Sequence, residues 1–151
     1  MKLNLKELSL QKEGLKNANE KREACQVCGL SASCETPFKA PYVPENYTRK
    51  LVIVSSGSES RREEKFIRRL SRQAGWQDED TAIVPAVRCA NESPSMSQIR
   101  ACRPFLLQAL HVLKPENVLG LGSTALRALR NDGAESIIKH RGREIEIPGQ
   151  S

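Results

Sequence analysis

Aromatic side chains are scarce in this chain: three Phe, two Tyr and one Trp make up 4% of its 151 residues. A surface that stacks successive bases of a single strand on aromatic rings is therefore poorly supported. Long apolar runs are absent too. None approaches the ~18 residues of a membrane span, and the N-terminal MKLNLKELSLQKEG alternates charge with leucine where a signal peptide carries an unbroken apolar stretch. No internal repeat or low-complexity tract is present. The expectation is a cytoplasmic, soluble monomer with no membrane partner. At this length and 38% hydrophobic content the chain can bury one core but has no room for two ordinary domains.

What is present is thiol and positive charge. Five cysteines do not pair off into a disulfide framework, and in a reducing compartment they stay reduced, which favours metal over disulfides. Four of them form two distant pairs, Cys25 with Cys28 and Cys89 with Cys102. A closely spaced pair supplies two thiolates from one turn, and a remote pair closes the coordination sphere only if the fold brings it alongside. Metal would then staple the N-terminal segment to the core. Thiolate spacing by itself does not separate zinc from an iron-sulfur cluster. Cys34 reads as a spare loop thiol. The net charge of +6 suits a polyanionic partner such as nucleic acid.

Residues 2–24, rich in Lys, Glu and Leu, read as a peripheral helix. Residues 25–46, with Pro37, Pro41 and Pro44 and little periodicity, read as loop. From there the pattern becomes regular. Residues 50–55 (KLVIVS) are an apolar run suited to a buried parallel strand. A helix follows, opened by Ser60 with Glu63 as a capping box and closed by Gly75. Its arginines, in RREEKFIRRLSR, read as a solvated face because acidic residues are interleaved. Residues 81–87 are a second strand in which Pro85 favours an edge or strand end. Ser95 or Ser97 caps the next helix, which Pro115 stops and Pro104 would interrupt unless it lies in the first turn. Residues 117–121 make a third strand, GSTALRALRND a short helix ended by Asn131 and Gly133, and residues 143–147 a fourth strand. Strands alternating with helices of this length predict a three-layer α/β sandwich with a mostly parallel central sheet.

CQVCGL in the loop before the core, AVRCANESPSMSQIRACRPFLLQAL, VLGLGSTALRAL and RGREIEIPG, in that order, resemble the iron-sulfur branch of the uracil-DNA glycosylase superfamily, families 4 and 5. The resemblance covers about residues 25–149. It implies a uracil-DNA glycosylase-like domain over 25–151, C-terminally incomplete, behind an N-terminal helical extension over 1–24. It also implies a [4Fe-4S] cluster on Cys25, Cys28, Cys89 and Cys102, with four-Cys zinc as the nearer competitor, and DNA as the partner in base-excision repair.

Uracil excision needs a flipped base in a pocket, a group reading its edge, an aromatic platform, and stabilisation of the departing anion. Compared with the family pattern, the first strand here runs through Ser55, Ser56, Gly57, Ser58, Glu59 and Ser60 almost directly into a helix, so the stacking segment is deleted. The Asn that family 4 places four residues before the Cys corresponds to Pro85, and the chain stops before the family's H-P-[AS] motif. Neither histidine replaces it: His111 reads as a helix-surface residue and His140 as part of a basic loop. Glu59 is the one carboxylate near the expected water-activating position, and it also reads as a helix-start residue favoured by the dipole. No catalytic residue is assigned beyond that candidate.

Phosphate binding is better preserved. Gly122, Ser123 and Thr124 at a helix start present backbone N–H groups and hydroxyls, or a simple N-cap. Arg88, Arg103 and Arg141, with Arg100, Lys139 and Arg143, would form a basic face around this turn and the cysteines. Three readings follow: a uracil-DNA glycosylase that hydrolyses the N-glycosidic bond with impaired or no activity, a non-catalytic DNA-binding member of the superfamily, and a zinc-stapled interaction module.

Overall fold

A computed structural model describes residues 28–32, 39–89, 92–132 and 137–148. The expected N-terminal helix, Cys25 and Cys34 lie outside the described residues. Three parallel strands, β1 (Leu51–Ser55), β2 (Thr81–Pro85) and β3 (Asn117–Gly120), form one sheet in the order β2-β1-β3. Leu51 pairs with both Thr81 and Asn117, and Val54 with Val84 and Gly120. β1 and β2 are buried along their whole length, which is why they read as continuous apolar runs without alternation. Pro85 ends the edge strand β2, where its missing N–H costs little.

Helices cover both faces of the sheet. Helix α1 (Arg61–Gln73) brings Ile67 and the following Trp76 against Leu51, Ile53 and Ile83. On the opposite face α2 (Met96–Leu113) and α3 (Gly122–Arg130) pack Ile99, Leu106, Leu110, Ala125 and Leu129 against Val52, Val54, Ala82 and Val84. The layers are thus the expected α/β sandwich. Ser60 and Ser95 each close a capping box, with Glu63 and Gln98, and Asn131 ends α3 in the left-handed conformation.

Two expectations fail. Pro104 lies well inside α2, not in its first turn. It sits on the exposed side of the helix, where solvent can satisfy the carbonyl that its missing N–H leaves open. Residues 143–147 form no strand. After a four-residue helix α4 (Ile137–His140) and a turn at Gly142, φ +71°, Ile145 and Ile147 are half-buried between exposed neighbours, and Ile147 packs on the α2–α3 core. Ile147 is met by packing on that core, and the segment does not pair with β3.

The segment before β1 is strapped to the sheet. Tyr42 and Ile83 exchange backbone hydrogen bonds of 2.8 and 2.9 Å along the outer edge of β2, and the Lys39 N–H donates to the Arg88 carbonyl at 2.6 Å. Further along, Asp80 accepts from Thr48 Oγ1 at 2.6 Å and pairs with Lys50 at 2.9 Å. The strap also covers an edge that would otherwise be open to pairing.

Candidate functional site

In an open parallel sheet the place for a ligand is the carboxyl end of the strands, where the strand order reverses. With β2 and β3 on opposite sides of β1, that point lies between the loops following β1 and β3.

The loop after β1 is five residues, 56–60, between the end of β1 and the start of α1. It closes on itself. Glu59 accepts from the Ser56 N–H and hydroxyl, both at 2.7 Å, and from the Gly57 N–H at 3.0 Å. Lys39 Nζ donates to the Glu59 carbonyl at 2.9 Å and pairs with Glu64 at 2.8 Å, while staying 3.7 Å from the Glu59 carboxylate. Burial alone would push the Glu59 carboxyl up, but the hydrogen bonds from the Ser56 hydroxyl and the loop amides outweigh it and hold the group below its ordinary value. A carboxylate so satisfied is a weak base, committed to shaping the loop. Gly57, at φ +103°, brings the loop so close to the residues after β2 that a Cβ there would lie 1.8 Å from the Val87 carbonyl oxygen. Only glycine fits.

After β2 the chain turns inward. Arg88 is 1% exposed, with its guanidinium 5.7 Å from the Phe105 ring centroid and Nη2 3.5 Å from the Phe105 carbonyl oxygen. This takes it off the basic surface expected of it. Cys89 is buried in the core cluster, and the half-buried Cys28 packs against that same cluster together with Leu30. Cys102 is half-buried on α2, in the stretch whose Ile99 and Leu106 belong to the cluster as well. Two of the four expected ligands, Cys28 and Cys89, therefore meet at one apolar core, and Cys102 lies half-buried on α2 between two residues of it. Among the described residues no three His, Cys, Asp or Glu side chains gather into a ligand set. The donor type fits an iron-sulfur or zinc centre, and the partner of Cys28 in the closely spaced pair lies outside the described residues.

After β3 the turn is open. Gly122, at φ +86°, has nothing within 4 Å of where a Cβ would be, and Ser123 is exposed. The N-cap Leu121 offers no side-chain acceptor to the first turn of α3. Thr124 is buried. Arg103 is half-buried and engaged with backbone carbonyls. It donates to the Ala128 and Leu129 carbonyls at 2.7 and 3.2 Å, at the C-terminal end of α3, and to the Pro148 carbonyl at 2.5 Å. Arg100, Lys139, Arg141 and Arg143 are exposed. His111 is exposed on α2, and His140 is half-buried, with both ring nitrogens 3.1–3.2 Å from Arg130 Nη1. The structure thus keeps Gly122, Ser123 and Arg141 at the surface, uses Arg88 as an internal strut, and uses the half-buried Arg103 as a tie between α2, α3 and Pro148. Lys39 and Gly57 were missed as organisers of the site. Gly57 between serines was a visible signal, whereas nothing in the sequence marks Lys39.

The family model described as the uracil DNA glycosylase superfamily matches residues 35–147. The chain belongs to this superfamily. Two relatives are similar over shorter stretches. The type-4 uracil-DNA glycosylase of Thermotoga maritima is 34% identical over 83 residues, covering 53% of this chain and 43% of that protein. The type-4 uracil-DNA glycosylase of Pyrobaculum aerophilum is 34% identical over 53 residues, covering 33% of this chain and 27% of that one. The chain therefore spans less than half the length of the curated relatives it matches. The α/β architecture, with its parallel sheet and helices on both faces, agrees with the superfamily assignment. Among the described residues no helix is long and apolar enough to cross a membrane.

Proposed function

We propose that this chain is a DNA-binding, iron-sulfur member of the uracil-DNA glycosylase superfamily whose excision of uracil is impaired or lost. The carrying observation is the loop after β1. It is five residues long, tied shut by Glu59, and passes directly into α1, with no aromatic residue in it to stack on a flipped base. Hydrolysis would require water to attack C1′ as the bond to uracil N1 breaks, with a base drawing off a proton and a donor receiving the departing anion. The Glu59 carboxylate is engaged with the loop's own amides, and neither histidine stands at the loops after β1 and β3.

DNA binding rests on the open turn after β3. The first N–H groups of α3, with Gly122 and Ser123 exposed, suit a backbone phosphate, and Arg141 adds a surface cation. In this reading Cys25, Cys28, Cys89 and Cys102 hold the [4Fe-4S] cluster, which supplies structural support next to the DNA face. Support comes from the resemblance in cysteine placing and from Cys28 and Cys89 meeting at one core.

The test is uracil release from a labelled oligonucleotide, single- and double-stranded, alongside DNA binding across a salt series, with a type-4 enzyme assayed in parallel. Binding that weakens steeply with salt while release is at least about a hundredfold slower than the reference is the expected result. Release at the reference rate would refute the impairment, and the absence of both activities would leave a stapled interaction module.

A further inference from the structure

The arginine-rich helix α1 is exposed to solvent along one face, as its sequence suggested. It carries six basic residues and two acidic ones, Glu63 and Glu64. Both glutamates are consumed locally. Glu63 closes the capping box, accepting from the Ser60 N–H and hydroxyl at 2.7 and 2.8 Å, and Glu64 pairs with Lys39. Arg68 lies over the Tyr42 ring, and Arg72 pairs with Asp78. Arg61, Arg62, Lys65 and Arg69 remain, and the last three lie on one face. Those three are exposed, and among the described residues none meets a carboxylate within ion-pair distance.

Spaced i, i+3 and i+7, these three share the outer face of the helix, opposite Ile67 and the buried Ser71, in a row of about 10 Å. Phe66, 51% exposed, lies beside the row with the Arg69 guanidinium 5.7 Å from its ring centroid. The arrangement works against the helix. Arg62 sits in the first turn, where the dipole disfavours a cation, and the pairs Arg62–Lys65 and Lys65–Arg69 repel along one face. A local rule broken without gain to the fold marks a functional surface.

We infer that the outer face of α1 is a second nucleic-acid contact, a phosphate-binding row formed by Arg62, Lys65 and Arg69. This rests on the reading of the chain as a DNA-binding protein and extends it to residues outside the Gly122 turn. Duplex DNA presents a negative charge about every 1.7 Å of its axis, so a 10 Å row of uncompensated cations engages several phosphates at once. Continuity supports the same occupant. β1 and β3 run parallel side by side, so α1 starts at the sheet edge where the Gly122–Ser123 turn opens, and the row runs from that edge down the other flank. The partner is a phosphodiester backbone read without regard to sequence.

The experiment compares oxygen-protected wild-type protein with the triple variant R62Q/K65Q/R69Q, with S123A/R141Q, and with K114Q, an exposed cation at the opposite edge of the sheet. Affinity for duplex DNA is measured across salt concentrations, with thermal unfolding of each protein in parallel. The triple variant is expected to bind at least about tenfold more weakly, and its log–log salt dependence to flatten by about 2 to 3. Its melting temperature should rise by about 1–3 °C as the like-charge repulsion is relieved. That opposition separates a binding role from a structural one. K114Q should change neither.

An unchanged salt slope in the triple variant, with loss in S123A/R141Q, overturns this inference and leaves the site reading standing. Loss in the triple variant alone supports the inference and removes the Gly122 turn. Wild-type protein that binds no DNA overturns both. So does wild-type protein that co-sediments only with phosphatidylserine–phosphatidylcholine vesicles, which would assign the row and Phe66 to an anionic lipid surface.

Discussion

The loop at 56–60 is fixed by two residues acting through different physics. Gly57 fills a geometric need: positive φ and a contact with the Val87 carbonyl that no Cβ tolerates. Glu59 acts through charge, its carboxylate set among the Ser56 and Gly57 amides and the Ser56 hydroxyl. Because those hydrogen bonds hold its carboxyl below the ordinary value of 4.5, the folded state takes up the proton less readily than the unfolded chain. The stabilisation is therefore complete above the ordinary value and is lost as pH falls through the lower folded value. The melting temperature of wild-type protein should drop between about pH 5 and pH 3, and Glu59→Gln should flatten that drop while lowering stability at neutral pH. Thermal scans of both proteins across this range decide the matter, and parallel acid slopes would exclude Glu59 as a contributor.

At the scale of elements, the sequence was most legible where chemistry is local. Ser60 with Glu63, the glycine at the end of α1 and the left-handed Asn131 each specify a helix end from adjacent residues, and the structure has all three. Burial on both faces makes β1 and β2 visible as apolar runs. Contacts between elements were not legible. Arg88 and Arg103 looked like surface cations because nothing nearby in sequence reveals Phe105 beneath one or the end of α3 beside the other. The alternation at 143–147 is equally compatible with a strand and with a segment lying on two helices. Arg103 has the larger consequence, since it joins α2, the last carbonyls of α3 and Pro148. Burial lowers its pKa from the ordinary guanidinium range, and the group stays charged. Replacing it with Met keeps the stem and strands those carbonyls, at a cost of about 2 kcal/mol. Urea unfolding should show an earlier midpoint at unchanged slope, with Arg103→Lys recovering part of the loss. A midpoint equal to wild type would mean that solvent replaces the guanidinium without penalty.

For the whole molecule the question is what holds the pre-core segment against the sheet. Hydrogen bonds at Lys39, Tyr42 and Thr48 fasten its later part to β2 and the residues before it. Its earlier part offers Leu30 and Cys28 to the core. A centre on Cys25, Cys28, Cys89 and Cys102 would add a further fastening, joining that segment to the end of β2 and to α2. Two consequences can be measured on oxygen-protected protein. Iron and sulfide at about four each per chain, with broad visible absorption, identify the cluster, whereas a colourless protein holding one zinc selects the other four-Cys centre. Removing the metal by chelation, or changing Cys89 to Ala, should abolish the absorption and expose the chain before Lys39 to proteolysis. The far-ultraviolet circular dichroism of the sheet and helices should persist, since the residues of β1–β3, α2 and α3 pack on one another. Loss of all structure with the metal would instead make the centre a condition of folding, as in domains too small to stand on their core alone. Protein that holds neither metal and resists proteolysis would show that packing of Leu30 and Cys28 suffices.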